Sequence, residues 1–61
     1  MTDYTPIDYD ECKHVTDQAA LLIIDGDEVW LPLSVVEDAP EVGDSGLIDV
    51  AEWFALKEGL I

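Results

Sequence analysis

Residues Ala19 to Leu31 constrain the chain more than any other segment. Six apolar residues, Ala19-Ala20-Leu21-Leu22-Ile23-Ile24, run into Asp25-Gly26, and Asp27-Glu28-Val29-Trp30-Leu31 follows. An Asp-Gly pair between two such runs favours the positive φ angles of a two-residue hairpin turn. With Asp25 and Gly26 as the loop, Leu22 faces Val29 and Leu21 faces Trp30. Ile24, Leu22, Val29 and Leu31 then share one face, and Ile23, Leu21 and Trp30 the other. Both faces are apolar. A small domain satisfies that by curling the sheet, or by covering one face with a helix and leaving the other to a partner.

The flanking segments supply the rest of the fold. Ile7 and Tyr9 alternate with Asp8 and Asp10, so residues 1–11 are either a short edge strand or a mobile arm. Cys12 to Thr16 reads as a further strand with Cys12, His14 and Thr16 on one side, and Thr16-Asp17-Gln18 as a turn. Pro32 ends the hydrogen bonding of the second hairpin strand. Ser34 and Glu37 have capping-box spacing, which predicts a single helical turn. Residues 37–46, with Pro40, Gly43 and Gly46, read as an acidic solvated loop. Leu47-Ile48 forms a last short strand. Asp49, with Glu52 three residues on, then caps a helix of about nine residues. Val50, Trp53, Phe54, Leu56 and Leu60 form its apolar arc, Lys57 favours its C-terminal dipole, and Gly59 is its left-handed cap. So short a helix must dock on the sheet. Burial of Trp53 and Phe54 is expected to contribute about 2–3 kcal/mol each. The fold class expected is α+β: one domain, residues 1–61, with a small curled antiparallel sheet and a C-terminal helix packed on it.

Length limits what such a fold can do. Sixty-one residues bury a thin core, and one cysteine provides no intrachain disulfide. Hydrophobic residues at 49% with five aromatic side chains argue against a disordered acidic tail. Met1-Thr2-Asp3-Tyr4 has neither a basic region nor an apolar run, so no signal peptide is expected. The longest apolar run, Ala19–Ile24, is far short of the roughly 20 residues of a membrane span. A cytoplasmic protein without cofactors is expected.

Chemistry-bearing constellations are sparse. Asp25-Gly26-Asp27-Glu28 places Val29 at the fifth position, where an EF-hand loop needs an oxygen ligand, and its glycine is at the wrong offset. Cys12 and His14 have no further cysteine or histidine to complete a zinc site, and a chain this short has little room for a nucleophile's pocket and oxyanion donor. No catalytic or metal-binding residue is assigned, and the chain is not expected to be an enzyme.

Charge is the signal that remains. Fifteen acidic residues against two lysines and no arginine give −13, beyond the roughly 2–8 that serves solubility in a small domain. At this length the folded width is about 27 Å. Duplex DNA carries 13 charges in about 22 Å, so the two charge densities are close. This excludes direct binding to nucleic acid or to an anionic membrane, and points to a basic, DNA-binding groove as partner. The candidate phosphate surrogates are Asp25, Asp27 and Glu28 on the hairpin tip, and Glu37, Asp38, Glu41 and Asp44 on the long loop. Asp3, Asp8, Asp10 and Glu11 form a second row if the N-terminal segment is ordered; Asp49 and Glu52 are set aside as capping groups. Halophilic proteins share this composition, and a small acidic assembly subunit of a phage or halophilic system would use the second apolar hairpin face.

Val29-Trp30-Leu31-Pro32-Leu33-Ser34 and Glu52-Trp53-Phe54-Ala55-Leu56-Lys57-Glu58-Gly59-Leu60 resemble small acidic proteins of phages and mobile elements. In those, a Trp-Ile/Leu-Pro-x-Ser segment follows an Asp-Gly hairpin and a Glu-Trp-x-x-x-Lys-x-Gly-Leu helix closes the chain. The resemblance covers about residues 17–61, and departs from the pattern at Leu33, where a polar residue is common. It implies that Trp30 and Trp53 are core anchors, Asp25-Gly26 the turn and Gly59 the cap; it transfers no functional residue. Size, acidity and this resemblance together are similar to anti-CRISPR proteins of the DNA-mimic type. By that analogy the expected function is stoichiometric inhibition of a CRISPR surveillance complex in the host cytoplasm, as a monomer or small homo-oligomer.

Overall fold

The computed structural model describes residues 3–61; Met1 and Thr2, where the leader reading begins, lie outside them. Five strands, β1 (Tyr4–Tyr9), β2 (Glu11–Val15), β3 (Ala19–Ile24), β4 (Asp27–Pro32) and β5 (Gly46–Ala51), precede one helix, α1 (Glu52–Lys57). A single 3-10 turn, Leu33–Val35, follows β4. β2, β3 and β4 form an antiparallel meander, and β1 pairs antiparallel with β5. The N-terminal segment is thus a strand. One residue, Asp10, separates β1 from β2, and its N–H donates to the Ile23 carbonyl at 2.7 Å. The chain there passes from pairing with β5 to pairing with β3, which curls the two sheets around one core. The class is α+β, as expected.

The hairpin forms in the predicted register, Leu22 opposite Val29 and Leu21 opposite Trp30. Asp25 (φ 52°) and Gly26 (φ 81°) both occupy the left-handed region, as a type I′ turn requires. Ala20, Leu22, Ile24 and Leu31 point inward to meet Ile7, Tyr9, Ile48, Val50 and Phe54, with Val29 half-buried against them. Leu21 is buried on the outer face, where its cross-strand neighbours are His14 and Trp30.

Four local expectations need correction. Register slips between Cys12 and His14, so Cys12 is fully buried while His14 is exposed, and the two do not share a face. Such a bulge puts one extra residue on one strand and turns its side chains. The 3-10 turn has Pro32 before it and no side-chain cap; Ser34 lies inside it. Asp49 does not cap α1, because β5 continues to Ala51 and holds Asp49 opposite Pro6. The Glu52 N–H donates instead to the Asp3 carbonyl at 2.7 Å. The helix is six residues long, with Phe54 and Ala55 buried. Trp53 is 55% exposed, meeting Phe54 edge-on at 5.8 Å between ring centroids, and Leu56 is exposed too, so Trp53 is not a core anchor. Nor is Trp30, at 51% exposed. The helix end follows expectation: Gly59 has φ 74°, and the N–H groups of Gly59 and Leu60 donate to the carbonyls of Leu56 and Ala55.

Candidate partner-binding surface

Every one of the 15 acidic residues is exposed, and no charged residue among the described residues is buried. Backbone pairing decides which of them come together. On the meander, Glu11, Ile23 and Glu28 lie in one row across β2, β3 and β4, and Ile24 pairs with Asp27 beside the turn at Asp25. The hydrogen bond from Asp10 to Ile23 brings the strand junction alongside. The hairpin tip and the β1–β2 junction therefore share one end of the sheet, carrying Asp10, Glu11, Asp25, Asp27 and Glu28. Lys13 neutralises part of it through Glu11, at 3.6 Å across two half-exposed side chains, a pair of small energetic weight.

The long loop returns to the same junction. The Cys12 N–H donates to the Asp44 carbonyl at 2.9 Å and the Gly43 N–H to the Cys12 carbonyl at 2.9 Å. Residues 41–44 form a turn with Gly43 at φ 91°, closed by the Asp44 N–H on the Glu41 carbonyl and by the Glu41 N–H on the Asp44 Oδ2, both at 3.0 Å. The other arm of the loop runs beside β5: Val36 bridges Val50, and the Glu37 N–H donates to the Asp49 carbonyl at 3.0 Å. Between the two arms lies a hollow of about 210 Å³, lined by Asp38, Asp44 and Asp49 with Tyr9, Pro40 and Leu47 among its walls.

The sequence-predicted groups thus sort by place. Asp25, Asp27, Glu28, Asp10 and Glu11 gather at the hairpin end, and Asp44 joins them to the hollow that holds Asp38. Glu37 and Glu41 flank it through their backbone bonds. Asp8 stands opposite Leu47 on the outer face of β1 and β5. Asp3 is at the far end of β1, where its carbonyl meets the helix start, about 20 Å of strand from Asp10. The four N-terminal carboxylates therefore do not make one row. Asp49, set aside as a cap, faces the hollow. The alternation Ile48-Asp49-Val50, buried-exposed-buried, carried that information in the sequence.

Burial pushes the Tyr9 phenol and the Cys12 thiol above their ordinary values, and the negative charge of Asp44 adds to both. The described residues hold no group of three or more His, Cys, Asp or Glu side chains placed to bind a metal ion, and no helix long and apolar enough to cross a membrane. No protein-family model, curated protein or solved structure gives a significant match to the chain.

Proposed function

We propose that this chain is a stoichiometric protein inhibitor, a DNA mimic that occupies the DNA-binding surface of a basic host complex, with a CRISPR surveillance complex as the target class. The observation that carries it is the convergence of three separate sequence segments, residues 8–11, 25–28 and 37–49, on the β1–β2 junction. Its carboxylates outnumber the one lysine paired among them. Thirteen net charges over a longest dimension of 30 Å come to about one per 2.3 Å (30/13). Duplex DNA has about one per 1.7 Å. A groove built for phosphates meets a comparable field and carboxylate oxygens that accept from arginine in the same bidentate way. Binding requires no cofactor. The test is reversal of the hairpin tip, Asp27→Lys with Glu28→Lys, both exposed. Binding to the basic partner should fall at least tenfold (about 1.4 kcal/mol) at low salt while the fold stays intact. Unchanged binding would refute the proposal.

A second reading, a small acidic assembly subunit without mimicry, is favoured by Trp30, Trp53, Leu47 and Leu56, which leave large apolar surfaces in solvent. It predicts the opposite sensitivity: loss on Trp30→Ala or Trp53→Ala, and indifference to charge reversal.

A further inference from the structure

The hollow between the long loop and β5 has walls of two kinds. Pro40 is buried and, with the exposed Leu47, forms an apolar side; Asp38, Asp44 and Asp49 supply three carboxylates. Tyr9 is only 6% exposed, and no hydrogen bond among the described residues engages its hydroxyl. No fully buried polar side-chain atom in the described residues lacks a partner. The phenol therefore keeps access at the hollow it lines, as an unused donor and acceptor.

We infer that this hollow is a receptor for a single arginine side chain of the partner, its stem against Pro40 and Leu47 and its guanidinium among Asp38, Asp44, Asp49 and the Tyr9 hydroxyl. Guanidinium fits better than a metal ion: the carboxylates do not converge as metal ligands, whereas a planar five-donor fork spans separated acceptors. The apolar wall suits the three methylenes that arginine buries while its head stays solvated. Asp44 is held in place by the Glu41 N–H on its Oδ2 and by its carbonyl on Cys12, so the hollow is preformed on that side. The inference rests on the proposal of a basic partner and names the residue type at one point of contact.

The experiment uses the full ¹⁵N-labelled chain titrated with N-acetyl-arginine amide, with the citrulline analogue, which lacks the charge, as control. Saturable amide shifts are expected at Tyr9, Asp44, Leu47 and Asp49 with the arginine probe only. Asp49→Asn and Tyr9→Phe, neither of which removes a side-chain hydrogen bond of the fold, should each weaken binding about fivefold or more; Asp17→Asn, in the β2–β3 turn, should not. Shifts spread over all acidic positions, equal binding of citrulline, or displacement of the probe by equimolar Ca²⁺ would overturn the inference. Retained probe binding in a variant whose partner is insensitive to duplex DNA would overturn the mimicry reading alone. Lost probe specificity with intact DNA competition would overturn the arginine receptor alone.

Discussion

Cys12 and Asp44 are joined main chain to main chain: the Cys12 N–H donates to the Asp44 carbonyl at 2.9 Å, and the neighbouring Gly43 N–H returns a bond to the Cys12 carbonyl. The edge of β2 that faces away from β3 is thereby covered by the loop, where a bare edge would invite pairing with another chain. The same two bonds carry a loop carboxylate to the strand junction. Fold protection and surface charge are coupled at this point.

Gly43 holds φ 91° with open space where a Cβ would sit, so Gly43→Ala meets only a conformational penalty, about 1 kcal/mol. The penalty should fall on the loop. Amide exchange at Cys12 and Gly43 is expected to accelerate several-fold while exchange at Leu22 and Leu31 is unchanged, measured by hydrogen exchange with NMR detection.

Trp53 and Leu31 should respond oppositely to truncation. Leu31 is fully buried, so Leu31→Ala should cost about 2–4 kcal/mol, a large part of the stability of so small a domain. Trp53→Ala removes a side chain already half in solvent and should cost under about 1.5 kcal/mol. Urea unfolding of both variants against the parent checks the order, and a Trp53→Ala penalty matching that of Leu31→Ala would place Trp53 in the core after all.

The strands and turns were readable because their signals are local. Asp25-Gly26 demanded positive φ, and Leu22 and Leu31 fell inward by alternation once that turn fixed the register. Gly59 marked the helix end in the same way. What misled was competition between elements. Asp49 and Glu52 have the spacing of a cap, yet pairing of Asp49 with both Pro6 and the Glu37 segment keeps β5 extended to Ala51. The shortened helix then turns Phe54 and Ala55 inward and leaves Trp53 outside. The bulge after Cys12 is set by tertiary pairing and has no local marker. Of the candidate surface, the residues were visible as a list, but their grouping depends on backbone bonds such as Cys12–Asp44 that composition does not encode.

Stability should decline on the alkaline side. Cys12 and Tyr9 have thiol and phenol groups pushed above their ordinary 9.0 and 10.0, by burial first and then by Asp44. An acid raised by folding contributes stability that is complete below its unfolded pKa and is lost as pH climbs through the folded value. Urea midpoints should therefore hold level up to about pH 8.5 and fall beyond it. Cys12→Ala should delay the onset of the fall by about one pH unit, since only the phenol then remains. A decline beginning at the same pH in Cys12→Ala would exclude the thiol as its source.

Salt separates mimicry from halophily. At −13 the folded chain repels itself, and moderate salt should screen that repulsion, raising the thermal midpoint by a few degrees between about 20 and 200 mM NaCl. The domain should already be folded at the lower value by circular dichroism. A requirement for molar salt would assign the acidity to hydration in brine.

The most direct measurement of the central proposal is competition. The chain, immobilised at low salt, is exposed to nuclease-treated host lysate, and bound protein is challenged with duplex DNA. The mimicry account predicts a basic nucleic-acid-binding complex that duplex DNA elutes and that Asp27→Lys with Glu28→Lys fails to capture. A partner that ignores both DNA and charge reversal, yet is lost on Trp30→Ala or Trp53→Ala, would contradict it.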